Sequence, residues 1–182
     1  MTDAACYLAA SRLLAEQSAV GHGLWVSSLA LPFEVIFDDT EHYASVCGCP
    51  VPARGEGVCV RSGGRYVILY SPGWDIPRVN YTLAHELGHI ILGHTGEGDE
   101  REANAFACAL LVHGAPLREI VARFGADPAV VSRFFGVSKS CAAAALSRED
   151  VRTGYDEKIL SLYSGRLARL GKKNPLDIPF TI

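Results

Sequence analysis

The segment "NYTLAHELGHIILGHT", residues 80–95, constrains the fold more than any other part of the chain, because its apolar residues recur at helical spacing. The apolar residues at this spacing are Val79, which directly precedes the segment, and Leu83, Leu87, Ile90 and Ile91 within it. Upstream, Asp75 can cap the start of a helix and Pro77 suits its first turn. We therefore predict a helix that begins directly after Asp75 and carries three histidines and one glutamate among apolar residues.

Two of these histidines, His85 and His89, are four residues apart, so they lie within about 40° of each other on one face of the helix. Two imidazoles placed in this way can bind one ion, and Glu86 is offset enough to reach a water on that ion. This is the HExxH arrangement, in which the histidines bind zinc and the glutamate is the general base. The alternative is an amphipathic helix that contains the motif by chance. The apolar surroundings argue against it, because burying unpaired histidines and a carboxylate costs free energy.

His94 does not fit the third-ligand position of the metzincin pattern HExxHxxGxxH. That pattern places the glycine and the third histidine three and six residues after the second histidine, whereas Gly93 and His94 follow His89 by four and five. On a continuous helix His94 would point about 180° away from His85. We expect His94 to lie near the helix end, where a donor suits the exposed carbonyls.

The segment "GEGDEREANAFACALL" predicts a second helix that runs back past the first. Its two glycines end the first helix, and Asp99 caps the second, with Glu100 and Glu102 in the opening turn. Either carboxylate can therefore approach the histidines. Glu102 also fits a capping box with Asp99, in which it only reaches back to a backbone N–H. Spacing does not choose between the two glutamates.

The preceding residues predict strands after an N-terminal helix. "LPFEVIFDD" suits a strand that enters a turn, and "GVCVRSGGRYVILYSPG" suits a hairpin with apolar runs at Val58–Val60 and Tyr66–Tyr70. We predict that Tyr66–Tyr70 is the edge on which an extended peptide substrate adds as a further strand. Its nearly continuous apolar run equally fits a buried core strand.

Composition limits the classes of partner. The 182 residues suit one compact unit, and the net charge of −3 with a pI near 6.1 gives no general basic field for nucleic acid. The N-terminus lacks the pattern of a secretory signal, and no apolar run approaches the roughly 18 residues of a membrane span. We expect a cytoplasmic protein that does not bind membranes.

The six cysteines do not form a dense disulfide framework. Cys47, Cys49 and Cys59, with His42 upstream, offer a possible second zinc site. Only one residue separates Cys47 from Cys49, where a zinc knuckle usually has two, so the spacing argues against it. The three remaining cysteines lie in Ala- and Leu-rich segments and are expected in the core; they are Cys6, Cys108 and Cys141.

The chain resembles the ImmA/IrrE metallopeptidases of bacteria and their mobile elements. The matching segments are the strand "RYVILY", then "YTLAHELGHIILGH" from Tyr81 to His94, and "EANAFACALL" from Glu102 to Leu111. Arg78 occupies the position of an arginine that family members carry before the motif helix. The resemblance implies a small α+β zincin-like fold: a small sheet with an HExxH active-site helix, followed by a helical C-terminal segment.

The resemblance also implies the site: one zinc ion per chain bound by His85, His89 and Glu102, with Glu86 as catalytic base. Such a site keeps a fourth position for water. Glu86 would take the proton of this metal-bound water as it attacks a peptide carbonyl, and would deliver it to the leaving amine.

Two features near the site remain open. The group that stabilises the oxyanion is not identified; the candidates are Arg78, Tyr81, His113 and Tyr155. The sequence has "LLVHGAP" where the family usually has "LLMP". His113 and Gly114 therefore suggest a local insertion or an altered helix end, which leaves the neighbouring wall of the pocket unassigned.

The C-terminal part has the outline of a helix-turn-helix. A helix from Pro128 to Phe135, a turn at Gly136 and a cap at Ser138 precede a second helix. This helix is mainly alanine, with Lys139 and Arg148 near its ends, and lacks side chains that read bases. We expect it to pack against neighbours, and we do not expect direct nucleic-acid binding.

We therefore divide the chain into a zincin-like peptidase core at 1–114, a helix-turn-helix-like segment packed on it at 115–150, and an amphipathic helix with a loose tail at 151–182. The predicted function is a zinc-dependent endopeptidase. The resemblance implies a regulatory protein substrate, such as a helix-turn-helix repressor or an antitoxin. The alternatives are a metal-bound, non-catalytic protein-binding module and a DNA-binding regulator that uses the C-terminal helices. The sequence does not indicate the oligomeric state.

Overall fold

The computed structural model describes residues 2–18, 20, 23–48, 57–62, 64–95, 99–171 and 173–177. The helices are α1 (Asp3–Ala15), α2 (Thr40–Cys47), α3 (Ile76–Leu92), α4 (Glu100–Leu111), α5 (Gly114–Phe124), α6 (Pro128–Phe135), α7 (Lys139–Ser147), α8 (Asp156–Leu162) and α9 (Ser164–Leu170), and the strands are β1 (Val35–Asp39), β2 (Gly57–Ser62) and β3 (Arg65–Tyr70). Within these residues no single helix is both long and apolar enough to cross a membrane, although two sharply bent helix pairs pass that test together.

The three strands form one mixed sheet in the order β1-β3-β2. β1 runs parallel to β3, and β2 pairs with β3 as the predicted antiparallel hairpin. The prediction that Tyr66–Tyr70 forms an edge is wrong, because β3 hydrogen-bonds to a strand on each side. Its apolar run instead fills the core, with Val67, Ile68 and Leu69 all buried. Among the described strands, β2 is the edge that belongs to the hairpin.

Both ends of α3 have a local cause. The Asp75 side chain accepts a hydrogen bond from the backbone N–H of Arg78, which confirms the predicted start. At the other end Gly93 adopts a left-handed conformation with φ of 73°, and the N–H of His94 bonds to the carbonyl of His89 at 2.9 Å. This is a Schellman ending. The helix therefore stops before the two predicted glycines, which lie at residues 96 and 98, outside the described residues.

Helix α4 packs closely against α3. A Cβ atom added at Gly88 of α3 would lie 3.1 Å from the Phe106 ring and 3.3 Å from the Cα of Ala103. A side chain at this position would require Phe106 or Ala103 to move by a few tenths of an ångström. The inner face of α4, which includes Ala103, Phe106, Ala107 and Leu110, is fully buried. The carboxylates in the first turn of α4 are thereby held beside the histidine face of α3.

One apolar core extends from α1 to α9 and includes Leu14, Leu110, Ile120 and Ile159. The three cysteines expected in the core are buried, as predicted: Cys6, Cys108 and Cys141. Because this core contains residues from all three predicted segments, the division at residues 114 and 150 stays a prediction.

The helix-turn-helix outline is present as predicted. α6 ends at Gly136, which has φ of 71°, and Ser138 caps α7 through the N–H of Cys141. The predicted final helix is instead two short helices, α8 and α9, which meet at the fully buried Tyr163. Of the predicted loose tail, Pro175–Asp177 forms a 3-10 turn that contacts α6, and residues 178–182 lie outside the described residues.

Candidate metal centre

Donor atoms of three side chains converge beside the first turn of α4. The Nε2 atoms of His85 and His89 are 3.1 Å apart. An Oε atom of Glu100 lies 3.0 Å from the Nε2 of His85, and its other Oε atom lies 3.5 Å from the Nε2 of His89. Ligands about 2.0–2.1 Å from a tetrahedral zinc ion are separated from each other by about 3.3 Å. Each of these separations is therefore close to the distance between two corners of a tetrahedral site.

Asn104 orients the imidazole of His85. The Nδ1 of His85 lies 3.1 Å from the Oδ1 of Asn104, and the hydroxyl of Tyr81 donates to the same oxygen at 2.8 Å. Because an amide oxygen only accepts, Nδ1 carries the proton and Nε2 presents a lone pair to the centre. Asn104 lies four residues after Glu100, so both side chains extend from one face of α4.

His94 lies behind His89. Their Nδ1 atoms are 2.9 Å apart, and the Nε2 of His94 is 3.1 Å from an Oε of Glu102. His94 does not point away from the histidine pair, because the helix ends at Leu92 and the left-handed Gly93 turns the chain back. The expectation that His94 lies at the helix end is confirmed.

The structure does not bring Glu102, which the resemblance implies as the third ligand, to the two Nε2 atoms. The physical reason is the rotation of about 100° per residue along α4, which separates Glu100 and Glu102 by about 200°. Glu100 is exposed toward the histidines, whereas Glu102 is only 5% exposed and faces His94. The group of side chains that fits a metal ion among the described residues is His85, His89 and Glu100.

Asn104 was missed in the sequence. The signal for it lies in "EREAN", where Glu100 and Asn104 have the same four-residue spacing as His85 and His89. Glu102 falls outside that spacing. A rule that pairs side chains on one helical face would have favoured Glu100 and Asn104 together.

Glu86 lies in a cleft of about 350 Å³. The cleft is lined by Gly57, Tyr81, Thr82, His85, Glu86, Glu100 and Asn104. Burial raises the pKa of the Glu86 carboxyl above its ordinary value, the nearby His85 opposes this rise, and the charge of Glu100 adds to it. Burial also lowers the pKa of His89, which favours the neutral imidazole that a metal requires.

The edge strand β2 forms one wall of this cleft. A Cβ atom at Gly57 would lie 2.4 Å from the methyl group of Thr82 and 3.1 Å from an Oε of Glu86. The backbone of β2 thus lies directly against α3 beside the predicted base. A side chain at this position would displace either the strand or the Glu86 carboxylate.

Of the four candidates for the oxyanion, Tyr81 lines the cleft. His113 is fully buried elsewhere, where it caps α5 by accepting from the N–H of Ala115, and its Nε2 lies 2.9 Å from the Ser11 hydroxyl. This removes His113 from the candidates. Neither Arg78 nor Tyr155 lines the cleft in the described part of the chain.

The possible second zinc site stays a prediction. Cys47 is exposed on α2, and Cys59 lies on β2, where burial and the charge of Glu86 raise the pKa of its thiol to about 11. Cys49 lies outside the described residues. The Nδ1 of His42 lies 2.8 Å from a carboxylate oxygen of Asp38.

A small sheet beside an HExxH helix, with a carboxylate from the following helix, defines a zincin-like metallopeptidase domain of the α+β class. Residues 47–147 match the family model described as the IrrE N-terminal-like domain, Peptidase M78. Because this match spans more than half of the 182 residues, the chain belongs to that family, and the resemblance found in the sequence is confirmed. No curated protein matches the chain.

Proposed function

We propose that the protein is a zinc-dependent endopeptidase in which His85, His89 and Glu100 hold the ion and Glu86 is the general base. The observation that carries this proposal is the convergence of three side chains, His85, His89 and Glu100, which we call the donor triangle. The two Nε2 atoms are 3.1 Å apart, and the two Glu100 oxygens lie 3.0 Å from that of His85 and 3.5 Å from that of His89. Because the Nδ1 of His85 donates to Asn104, the Nε2 of His85 carries a lone pair. This lone pair, the Nε2 of His89 and the Glu100 carboxylate are all acceptors, and acceptors that converge repel each other unless a cation lies between them. When bound, a divalent ion supplies Lewis-acid chemistry, which activates water and polarises a peptide carbonyl.

Glu86 is suited to move the proton. Its carboxylate lines the cleft but is not part of the donor triangle, so it is free to contact a water molecule there. Because burial raises its pKa, the carboxylate accepts a proton more readily than an exposed glutamate does. It takes this proton from the attacking water and returns it to the amine that leaves.

The substrate binds in extended form against β2. β2 is the hairpin strand at the sheet edge, and its residue Gly57 lines the cleft next to Glu86. A peptide that adds to this edge satisfies its backbone hydrogen bonds on the strand and passes the base. As the ImmA/IrrE resemblance implies, we propose that this peptide belongs to a cytoplasmic regulatory protein, such as a helix-turn-helix repressor or an antitoxin.

The substitution Glu86→Gln tests the role of Glu86 as general base. Glu86→Gln keeps the shape of the side chain but removes the proton acceptor, so we expect normal zinc content and a loss of cleavage of at least about 100-fold. The assay combines the zinc-loaded protein with the repressor or antitoxin encoded beside its gene, and intact-mass spectrometry detects the products.

The matched control is Glu119→Gln, since Glu119 on α5 pairs with Arg123 and does not line the cleft. This control should cleave at the rate of the unmodified protein. Undiminished cleavage by Glu86→Gln would refute the role of the base. A zinc-loaded unmodified protein that binds the partner without cleaving it would favour the non-catalytic binding module.

A further inference from the structure

We infer that His94 and Glu102 form a positioning pair behind His89, which holds His89 as the tautomer whose Nε2 lone pair faces the ion. This inference rests on the metal site proposed above. It also gives Glu102 a function other than direct ligation. Neither residue belongs to the group His85, His89 and Glu100; His94 contacts the Nδ1 of His89, and Glu102 contacts His94.

The hydrogen bonds that link His89, His94 and Glu102 have a direction, because the carboxylate of Glu102 at one end of the series can only accept. The Glu102 carboxylate accepts, so the Nε2 of His94 is the donor across their 3.1 Å contact. In a neutral imidazole the other nitrogen is then an acceptor. The Nδ1 of His94 therefore accepts across the 2.9 Å contact with His89, and the Nδ1 of His89 carries the proton. The Nε2 of His89 is left with its lone pair, 3.1 Å from the Nε2 of His85.

The side chains of His94 and Glu102 are both largely shielded from solvent. Glu102 is 5% exposed, and the His94 side chain is 11% exposed. A buried carboxylate without a partner costs several kcal/mol, and the pairing with His94 offsets part of this cost for Glu102. The left-handed turn at Gly93 places His94 where it can contact both His89 and Glu102.

The two ligand histidines have different anchors. His85 is oriented by the neutral amide of Asn104, whereas His89 is oriented by an imidazole that a carboxylate polarises. Hydrogen-bond partners of this kind fix the orientation of a metal-bound histidine and raise its basicity, and their loss typically costs 10- to 100-fold in metal affinity. We expect the larger effect at His94, which contacts His89 directly.

Zinc affinity in a double-mutant cycle tests the pair. Competition with a chelator should show an affinity about 100-fold lower for His94→Phe and about 10-fold lower for Glu102→Gln. The double variant should match His94→Phe alone, because Glu102 acts only through His94. If Glu102 is instead a direct ligand, its substitution lowers affinity by the full amount in both backgrounds, which would overturn the inference. Unchanged affinity in both single variants would overturn it as well.

The tautomer of His89 gives a readout that a purely structural role would not change. In the zinc-free protein, long-range ¹H–¹⁵N spectra should show His89 protonated at Nδ1, and in His94→Phe a substantial Nε2–H population should appear. Glu119→Gln is the control, with both the affinity and the spectrum of the unmodified protein. A protein that bound no zinc would refute the proposed function, while the zinc-free tautomer would still decide the present inference. An Nε2–H tautomer of His89 in the unmodified protein would contradict it.

Discussion

A single carboxylate provides the negative charge of the proposed zinc site. Two neutral imidazoles and Glu100 leave part of the charge of a divalent ion uncompensated, which preserves its ability to polarise a carbonyl. The side chain of Glu100 is 70% exposed, so it contributes little to the core. Its role is therefore separable from folding.

Glu100→Gln should lower zinc affinity by more than about 100-fold, since an amide oxygen is a neutral and weaker ligand than a carboxylate. The stability of the zinc-free protein should change by less than about 0.5 kcal/mol, because the side chain is exposed. Chelator competition and urea unfolding measure the two quantities. Normal zinc binding by Glu100→Gln, combined with complete loss in Glu102→Gln, would return the third ligand to Glu102.

At the residue scale, the sequence predicts contacts within one helix better than contacts between helices. His85, Glu86 and His89 follow from rotation along α3 alone. The choice between Glu100 and Glu102 depends on how α4 is rotated against α3, which is set by the packing of Gly88 on α4 and cannot be read from spacing.

At the scale of elements, β2 and α3 both contribute residues to the cleft that contains Glu86. The closest approach is at Gly57, where the conformation of the backbone is ordinary and the constraint is space. In the strand order β1-β3-β2, β2 and β1 lie on opposite sides of β3. A change at Gly57 therefore alters the distance between β2 and α3 without touching the donor triangle.

Gly57→Ala should reduce cleavage by about 100-fold and leave zinc affinity within about threefold, because the added methyl group would overlap the Thr82 methyl at 2.4 Å and shift the strand by a fraction of an ångström. Gly154→Ala is the matched control, since a Cβ there meets no atom within 4 Å. Cleavage and chelator assays measure both effects. Equal cleavage by the two variants would show that the position of β2 does not matter for the reaction.

Elements with local start and stop signals were predicted well. Asp75 and Ser138 mark the starts of α3 and α7, and Gly136 ends α6, as the sequence indicates. The order of the strands in the sheet was not predicted, because the parallel pairing of β1 with β3 joins segments that are distant in the chain. The break at Tyr163 was also missed, although Ser164 and Gly165 follow it directly.

At the scale of the whole molecule, α4 connects the proposed zinc site to the rest of the core. It packs against α1, α3 and α7. His113, two residues after its end, is fully buried and contacts Ser11 and Tyr7 of α1. Burial, with a smaller contribution from Arg148 and Arg118, lowers the pKa of His113 from 6.5 to about 4, against an opposing effect of Asp156.

Acid should therefore destabilise the fold through His113. Its pKa is lower in the folded than in the unfolded state, so its contribution is present above about pH 6.5 and is lost as the pH falls toward 4. The shift corresponds to about 3 kcal/mol. In His113→Gln, the free energy of unfolding of the zinc-free protein should fall less between pH 6.5 and 4.5 than it does in the unmodified protein. Urea titrations across this range measure the difference, and parallel pH profiles would contradict it.

The close contact at Gly88 bears on which ion would suit the proposed site. A hydrogen atom in place of a side chain lets α4 lie close to α3, and Glu100 extends from the first turn of α4 to the histidines. Donor separations of 3.0–3.5 Å suit an ion of the radius of zinc, whereas calcium, with ligands at about 2.3–2.6 Å, needs a wider and more numerous set of oxygens. The absence of a side chain at position 88 thus lets α4 approach α3 closely enough for donor separations of this size.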